Sequence, residues 1–120
     1  MNNFERCKNR LDELAKLDDD WDGEGAIAIR ASVIEAAKKL LAARPHLCSE
    51  YKIFPTAVGG ILLEFEYGTW DISVEFDADA GIEIFGIEID GAGEFQTNRF
   101  PAMNQEFLNE FDRIVVRNDK

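Results

Sequence analysis

The chain is 120 residues long, the size of one ordinary domain, and 46% of it is apolar, with nine phenylalanines. That composition can bury a core and does not belong to a disordered chain. The formal net charge of −11 argues against direct binding to nucleic acid or to an anionic membrane, because both are recognised through basic patches.

The charge is uneven. Residues 49–100 hold eleven acids against only Lys52 and Arg99, whereas acids and bases nearly balance on either side. A basic protein partner would be attracted to such a middle third. No apolar run approaches the roughly 20 residues that span a bilayer. Met1 to Arg10 are polar and charged, so no signal peptide is expected. Cys7 and Cys48 form no spaced framework. Both points suit a reducing cytoplasm.

Phe4, Cys7, Leu11, Leu14 and Leu17 recur at three- and four-residue steps and form one face of a first helix. The run Asp18-Asp19-Asp20-Trp21-Asp22-Gly23-Glu24-Gly25-Ala26 breaks it. Asp18-x-Asp20-x-Asp22-Gly23 matches the first half of an EF-hand calcium loop, in which alternating carboxylates converge on a hard cation. The second half departs from it: Ile29 stands where the bidentate glutamate belongs, and Gly25 where an apolar residue belongs. No tightly held metal is expected. Trp21 is expected to fold back onto the core and staple the loop. Its other reading, shared with Asp22, is an anchor for a partner.

Ser32-Val33-Ile34-Glu35 reads as a capping box, with Ser32 as N-cap of a second helix whose apolar face is Val33, Ala36, Ala37, Leu40 and Leu41. Pro45 closes it. His46, Cys48 and Cys7 offer three soft ligands, short of the four of a structural zinc site, and Cys7 lies on an apolar helix face as a small hydrophobe.

From Lys52 the period changes to two. A short strand is expected at Ile53-Phe54. Ile61, Leu63, Phe65 and Tyr67 then alternate with Leu62, Glu64 and Glu66. Trp70, Ile72, Val74 and Phe76 alternate with Asp71, Ser73 and Glu75. A turn at Tyr67-Gly68 would pair Phe65 with Trp70 and Leu63 with Ile72, and so set Glu64 against Asp71. Asp77 to Gly81 reads as the next hairpin turn, with Gly81 left-handed. It pairs Phe76 with Ile82, Val74 with Ile84 and Glu75 with Glu83. The phase then slips to Ile87 and Ile89, and a bulge at Gly86 would restore the face. Glu94-Phe95-Gln96 closes the sheet. Pro101 starts a last helix with the face Met103, Phe107, Phe111 and Ile114.

The expected fold is a single α+β domain over residues 1–120. An antiparallel meander of three to five strands has one face covered by two N-terminal helices and one C-terminal helix. The other face carries Glu64, Glu66, Asp71, Glu75 and Glu83. Like charges placed opposite one another cost a strand pair a few tenths of a kcal/mol up to roughly 1. Catalytic equipment is thin: there is one histidine, no nucleophile motif and no glycine-rich phosphate loop. Carboxylates on an open sheet face do not have their pKa values driven apart as an acid–base pair requires. No enzyme activity and no cofactor are expected.

Trp21-Asp22-Gly23-Glu24-Gly25-Ala26, the second helix, and Pro55-Thr56-Ala57-Val58-Gly59-Gly60-Ile61-Leu62-Leu63-Glu64-Phe65 together resemble a scattered group of small bacterial and phage proteins with a W-D-G-x-G-A segment. The likeness spans roughly residues 11–90 and implies the fold and no assigned activity. By analogy, such accessory proteins travel with toxin, defence or mobile-element genes.

The expected function is a non-catalytic protein-binding module in the cytoplasm. Its most concrete form is a small inhibitor or accessory protein of antitoxin, immunity or anti-defence type acting on a basic protein surface. Its partner-binding residues would be Trp21, Asp22, Glu64, Glu66, Asp71, Glu75 and Glu83. Three alternatives stand beside it: an acidic mimic of nucleic acid, a divalent-cation-binding domain, and an enzyme of unknown reaction.

Overall fold

Two helices, a five-stranded antiparallel sheet and a third helix follow one another along the chain in a computed structural model, which describes residues 2–48 and 50–117. The first helix, α1, spans Asn3–Leu14. Asn2 caps it by accepting the Glu5 N–H at 2.8 Å, and it buries Cys7, Leu11 and Leu14. The second, α2, spans Ala31–Ala43 and buries Val33, Ile34, Ala36, Ala37, Leu40 and Leu41. The capping box does not form. Arg30 is the N-cap, with an extended backbone and no side-chain bond, and its carbonyl accepts the Val33 and Ile34 N–H groups. Ser32 and Glu35 therefore sit inside the helix. A 3-10 turn, Pro45–Leu47, follows.

The strands β1 (Lys52–Pro55), β2 (Ile61–Tyr67), β3 (Trp70–Phe76), β4 (Ile82–Glu88) and β5 (Glu94–Gln96) lie side by side in chain order. The β2–β3 hairpin is two residues out of the expected register: Tyr67 pairs with Trp70, Phe65 with Ile72 and Leu63 with Val74. The loop is Gly68-Thr69, and Gly68 takes the first turn position at φ 61°, as a type II′ turn requires. A shift of two residues keeps every side chain on its expected face.

The β3–β4 register is as expected near the turn, with Phe76 opposite Ile82, Val74 opposite Ile84 and Glu75 opposite Glu83. Ala80, not Gly81, is the left-handed residue, at φ 63°. At Gly81 a Cβ would meet the guanidinium of Arg99, so a side chain there would displace that arginine from its bond to Asp77. No bulge occurs at Gly86. The strand runs straight, Gly86 pairs with Ile72 and Phe95, and the Phe95 ring lies where a Cβ of residue 86 would be. The pattern that looked like a phase slip is an aromatic ring laid over a glycine. It leaves Ile87 and Ile89 outside the core, 61% and 46% exposed.

The last helix, α3, spans Gln105–Arg117. It starts after Asn104, whose side chain accepts the Phe107 N–H at 3.0 Å, rather than at Pro101. All three helices pack on one sheet face, where Ile53, Ile61, Leu63, Phe65, Ile72, Val74, Phe76, Ile82 and Ile84 join Leu11, Leu40, Leu41, Phe107 and Phe111 in one buried cluster. Arg44 ties α2 to α3 through two bonds to Asp112, at 2.7 and 2.5 Å. Cys7 and Cys48 meet in this core, with the Cys7 thiol donating to the Cys48 carbonyl at 3.3 Å. No helix among the described residues is long and apolar enough to cross a membrane.

Candidate functional site

Alternation along the strands puts the side chains that avoid the core on one outer face. Three rows of neighbours cross it. Lys52, Glu64, Ser73, Phe85 and Gln96 form one. Phe54, Leu62, Glu75 and Glu83 form the second. Glu66, Asp71, Ile87 and Glu94 form the third. The five acids singled out from the sequence therefore do share a face. Their pairing differs from expectation: Glu64 lies between Lys52 and Ser73, and it is Glu66 that faces Asp71. Glu75 faces Glu83 as expected.

None of the six ion pairs found among the described residues uses one of these five carboxylates. Glu83 accepts a bond from the Gln96 amide at 2.9 Å. The face is not purely acidic. Phe54 (41% exposed) and Ile87 stand out of it, and Leu62 and Phe85 are half-buried within it. Leu62 falls here as the alternation of β2 implies, whereas Phe54, Phe85 and Ile87 are not expected on this face from the sequence. Strict period two from Ile82 to Glu88 places Phe85 and Ile87 outward, and the presumed bulge concealed that signal.

Trp21 and Asp22 lie elsewhere, in the loop between α1 and α2. Its aspartates are bonded to the loop's own backbone. Asp22 accepts the Glu24 and Ala26 N–H groups at 2.8 and 3.0 Å, Asp20 that of Gly25 at 2.6 Å, and Asp19 that of Ala28 at 2.9 Å. Asp20, Gly23 and Gly25 take positive φ to make the turns. Among the described residues no three acidic, histidine or cysteine side chains gather as a metal group. Trp21 does not staple the core. It is half-buried outside the hydrophobic cluster, and its indole N–H donates to the Ile27 carbonyl at 3.3 Å. A second bond, from the Ile27 N–H to the Ala57 carbonyl at 2.9 Å, fastens this loop to the β1–β2 turn. Ile27 and Val58, 52% and 63% exposed, mark that junction.

Titration shifts follow structural bonds. The Glu24 and Ala26 amides hold the Asp22 carboxyl below its usual range, and Arg99 does the same for Asp77. Ion pairs with Lys38, Arg113 and Arg44 lower Asp12, Glu110 and Asp112. Burial pushes the Cys7 and Tyr51 groups up, and Cys48 up to about 12. Each shift has a cause in loop closure, helix docking, an ion pair within α3 or core burial, so none singles out an acid–base pair.

Comparison with protein-family models, with curated proteins and with solved structures gives no match to this chain.

Proposed function

We propose that the chain is a non-catalytic binding protein that receives a basic protein surface on the outer face of its sheet, in the manner of a small inhibitor or accessory protein. One observation carries this reading. Carboxylates that have no ion-pair partner among the described residues surround the apolar side chains Phe54, Leu62, Phe85 and Ile87, on a sheet face opposite the one on which the three helices pack. Apolar contact with a polar rim is the anatomy of a protein interface. A mimic of nucleic acid would present carboxylates without apolar residues among them. The repulsion between Glu75 and Glu83 would be relieved by a cation from the partner.

The test reverses Glu66, Asp71 and Glu75 to lysine. Affinity capture from a lysate with both forms identifies what the reversal loses, and stopped-flow mixing at two salt concentrations follows. The reversal is expected to slow association and to flatten its salt dependence, because steering acts on the encounter rate. An unchanged association rate would overturn the reading and leave the charge a solubility device.

A further inference from the structure

The two edges of the sheet are treated differently. The β1 edge is closed: Arg10 donates its Nε–H to the Ile53 carbonyl at 3.1 Å, and Pro55, facing the same way, has no N–H. The β5 edge is open. Gly93 accepts the Glu88 N–H and Thr97 donates to Ile84, so the backbone of Gly93, Phe95 and Thr97 turns toward β4. By alternation the N–H and C=O groups of Glu94 and Gln96 point away from the sheet. Both residues are exposed, and no bond to these outward groups occurs among the described residues.

A concavity of about 980 Å³ lies along this edge, between the Phe95–Pro101 segment and α3. Trp70, Phe95 and Phe100 form its apolar floor, with the Trp70 and Phe95 rings edge-to-face at 5.4 Å. Its two arginines are already held, Arg99 by Asp77 and Arg113 by Glu110. On the opposite side of the edge, Glu94 points onto the acidic outer face.

We infer that β5 and the groove beside α3 form a second binding site, which takes an extended peptide segment of a partner as a sixth strand. The edge supplies main-chain bonds, and alternation sorts the guest's side chains. Every second residue of the guest falls on the aromatic floor and is apolar. The residues between fall beside Glu94 and the outer face and are lysine or arginine. A guest of alternating apolar and basic residues is the complement of this edge. A second copy of the chain is a poor guest, since its β5 carries no basic residue to set beside Glu94 and would bring a second acidic outer face alongside the first.

This site is independent of docking on the sheet face, and its test separates the two. A displayed library of random short peptides is panned against the full chain. The enriched peptides are expected to alternate apolar and basic residues and to slow hydrogen exchange at the Glu94 and Gln96 amides. N-methylation of the guest backbone at edge-facing positions is expected to weaken binding about tenfold for each main-chain bond removed, and methylation at the intervening positions to leave it unchanged. Because the methyl groups are on the peptide, the result does not depend on how a variant folds. Reversal of Glu66, Asp71 and Glu75, all at least two strands from β5, should leave peptide binding in place. The inference is overturned if no peptide is enriched, if the two amides stay unprotected, or if methylation at either set of positions has the same effect. Concentration-dependent dimers in sedimentation, with these amides protected in the free chain, would also overturn it and give the edge to a second copy.

Discussion

Two regions of the molecule carry five acids each and use them in opposite ways. In the loop after α1, Asp19, Asp20 and Asp22 each accept backbone N–H groups and so hold the turn in shape. On the outer sheet face, Glu64, Glu66, Asp71 and Glu75 have neither an ion pair nor a side-chain hydrogen bond among the described residues, and Glu83 has only the Gln96 amide. Five acids mark each place in the sequence, crowded into residues 18–24 in the loop and spread over residues 64–83 on the sheet face. What separates them is secondary structure. A loop leaves amides unpaired and within reach of a short carboxylate, whereas a sheet pairs its amides with the next strand and turns its side chains away.

The sharpest contrast is between neighbours on β2. Leu63 is fully buried beneath the acidic face and Glu64 lies upon it. Leu63→Ala should cost about 2–5 kcal/mol in denaturant unfolding, while Glu64→Gln, which keeps the size of the side chain and sets no like charge against Lys52, should leave the midpoint nearly unchanged. A large loss from Glu64→Gln would mean that the face is structural. In the loop, Trp21→Ala should cost about 1–2 kcal/mol, from one hydrogen bond and a half-buried ring. A core tryptophan would cost about 3–5 kcal/mol, so a loss in that range by the same measurement would restore Trp21 to the core.

Smaller again is the effect of Glu75→Lys. It turns the repulsive pair with Glu83 into an attractive one and should raise stability by a few tenths of a kcal/mol up to about 1. Thermal melts at low salt would show the gain, and high salt should remove it.

The two regions also part in acid. Asp22 titrates below its usual 3.8, so its carboxylate binds fewer protons folded than unfolded in that window. Its contribution is complete above the unfolded value and is lost as pH falls through the lower, folded one. Hydrogen exchange should therefore show the Glu24 and Ala26 amides losing protection below about pH 4, while amides of β2 and β3 keep theirs. Simultaneous loss in both places would indicate global unfolding.

Much of the fold was legible in the sequence. Period-two alternation placed the strands and both faces, and β5 lies at Glu94–Gln96 as read. Three- and four-residue spacing found the buried faces of all three helices. What escaped depends on contacts that cross the chain. The β2–β3 register turns on whether Gly68 is the first or second residue of its turn, and faces alone cannot distinguish a two-residue shift. Gly86 looked like a defect because its partner, Phe95, comes nine residues later. Ser32 and Glu35 fit a capping box locally, yet α2 begins at Ala31, where the loop delivers the chain. Of the candidate site, the acids were legible and their pairing was not. Leu62 was legible beside them, Phe85 and Ile87 were hidden by the supposed bulge, and the groove beside β5 has no local pattern at all.

The meeting of Cys7 and Cys48 makes the α1 junction a built-in clock. With the Cys48 thiol pushed up to about 12 by burial, almost none of it is thiolate at neutral pH, and thiolate is the form that alkylates. Labelling must therefore wait for α1 to lift from the segment after the 3-10 turn. Its rate in increasing denaturant would report the free energy of that opening. If labelling runs ahead of global unfolding, the N-terminal helix leaves first and the sheet keeps its shape without it.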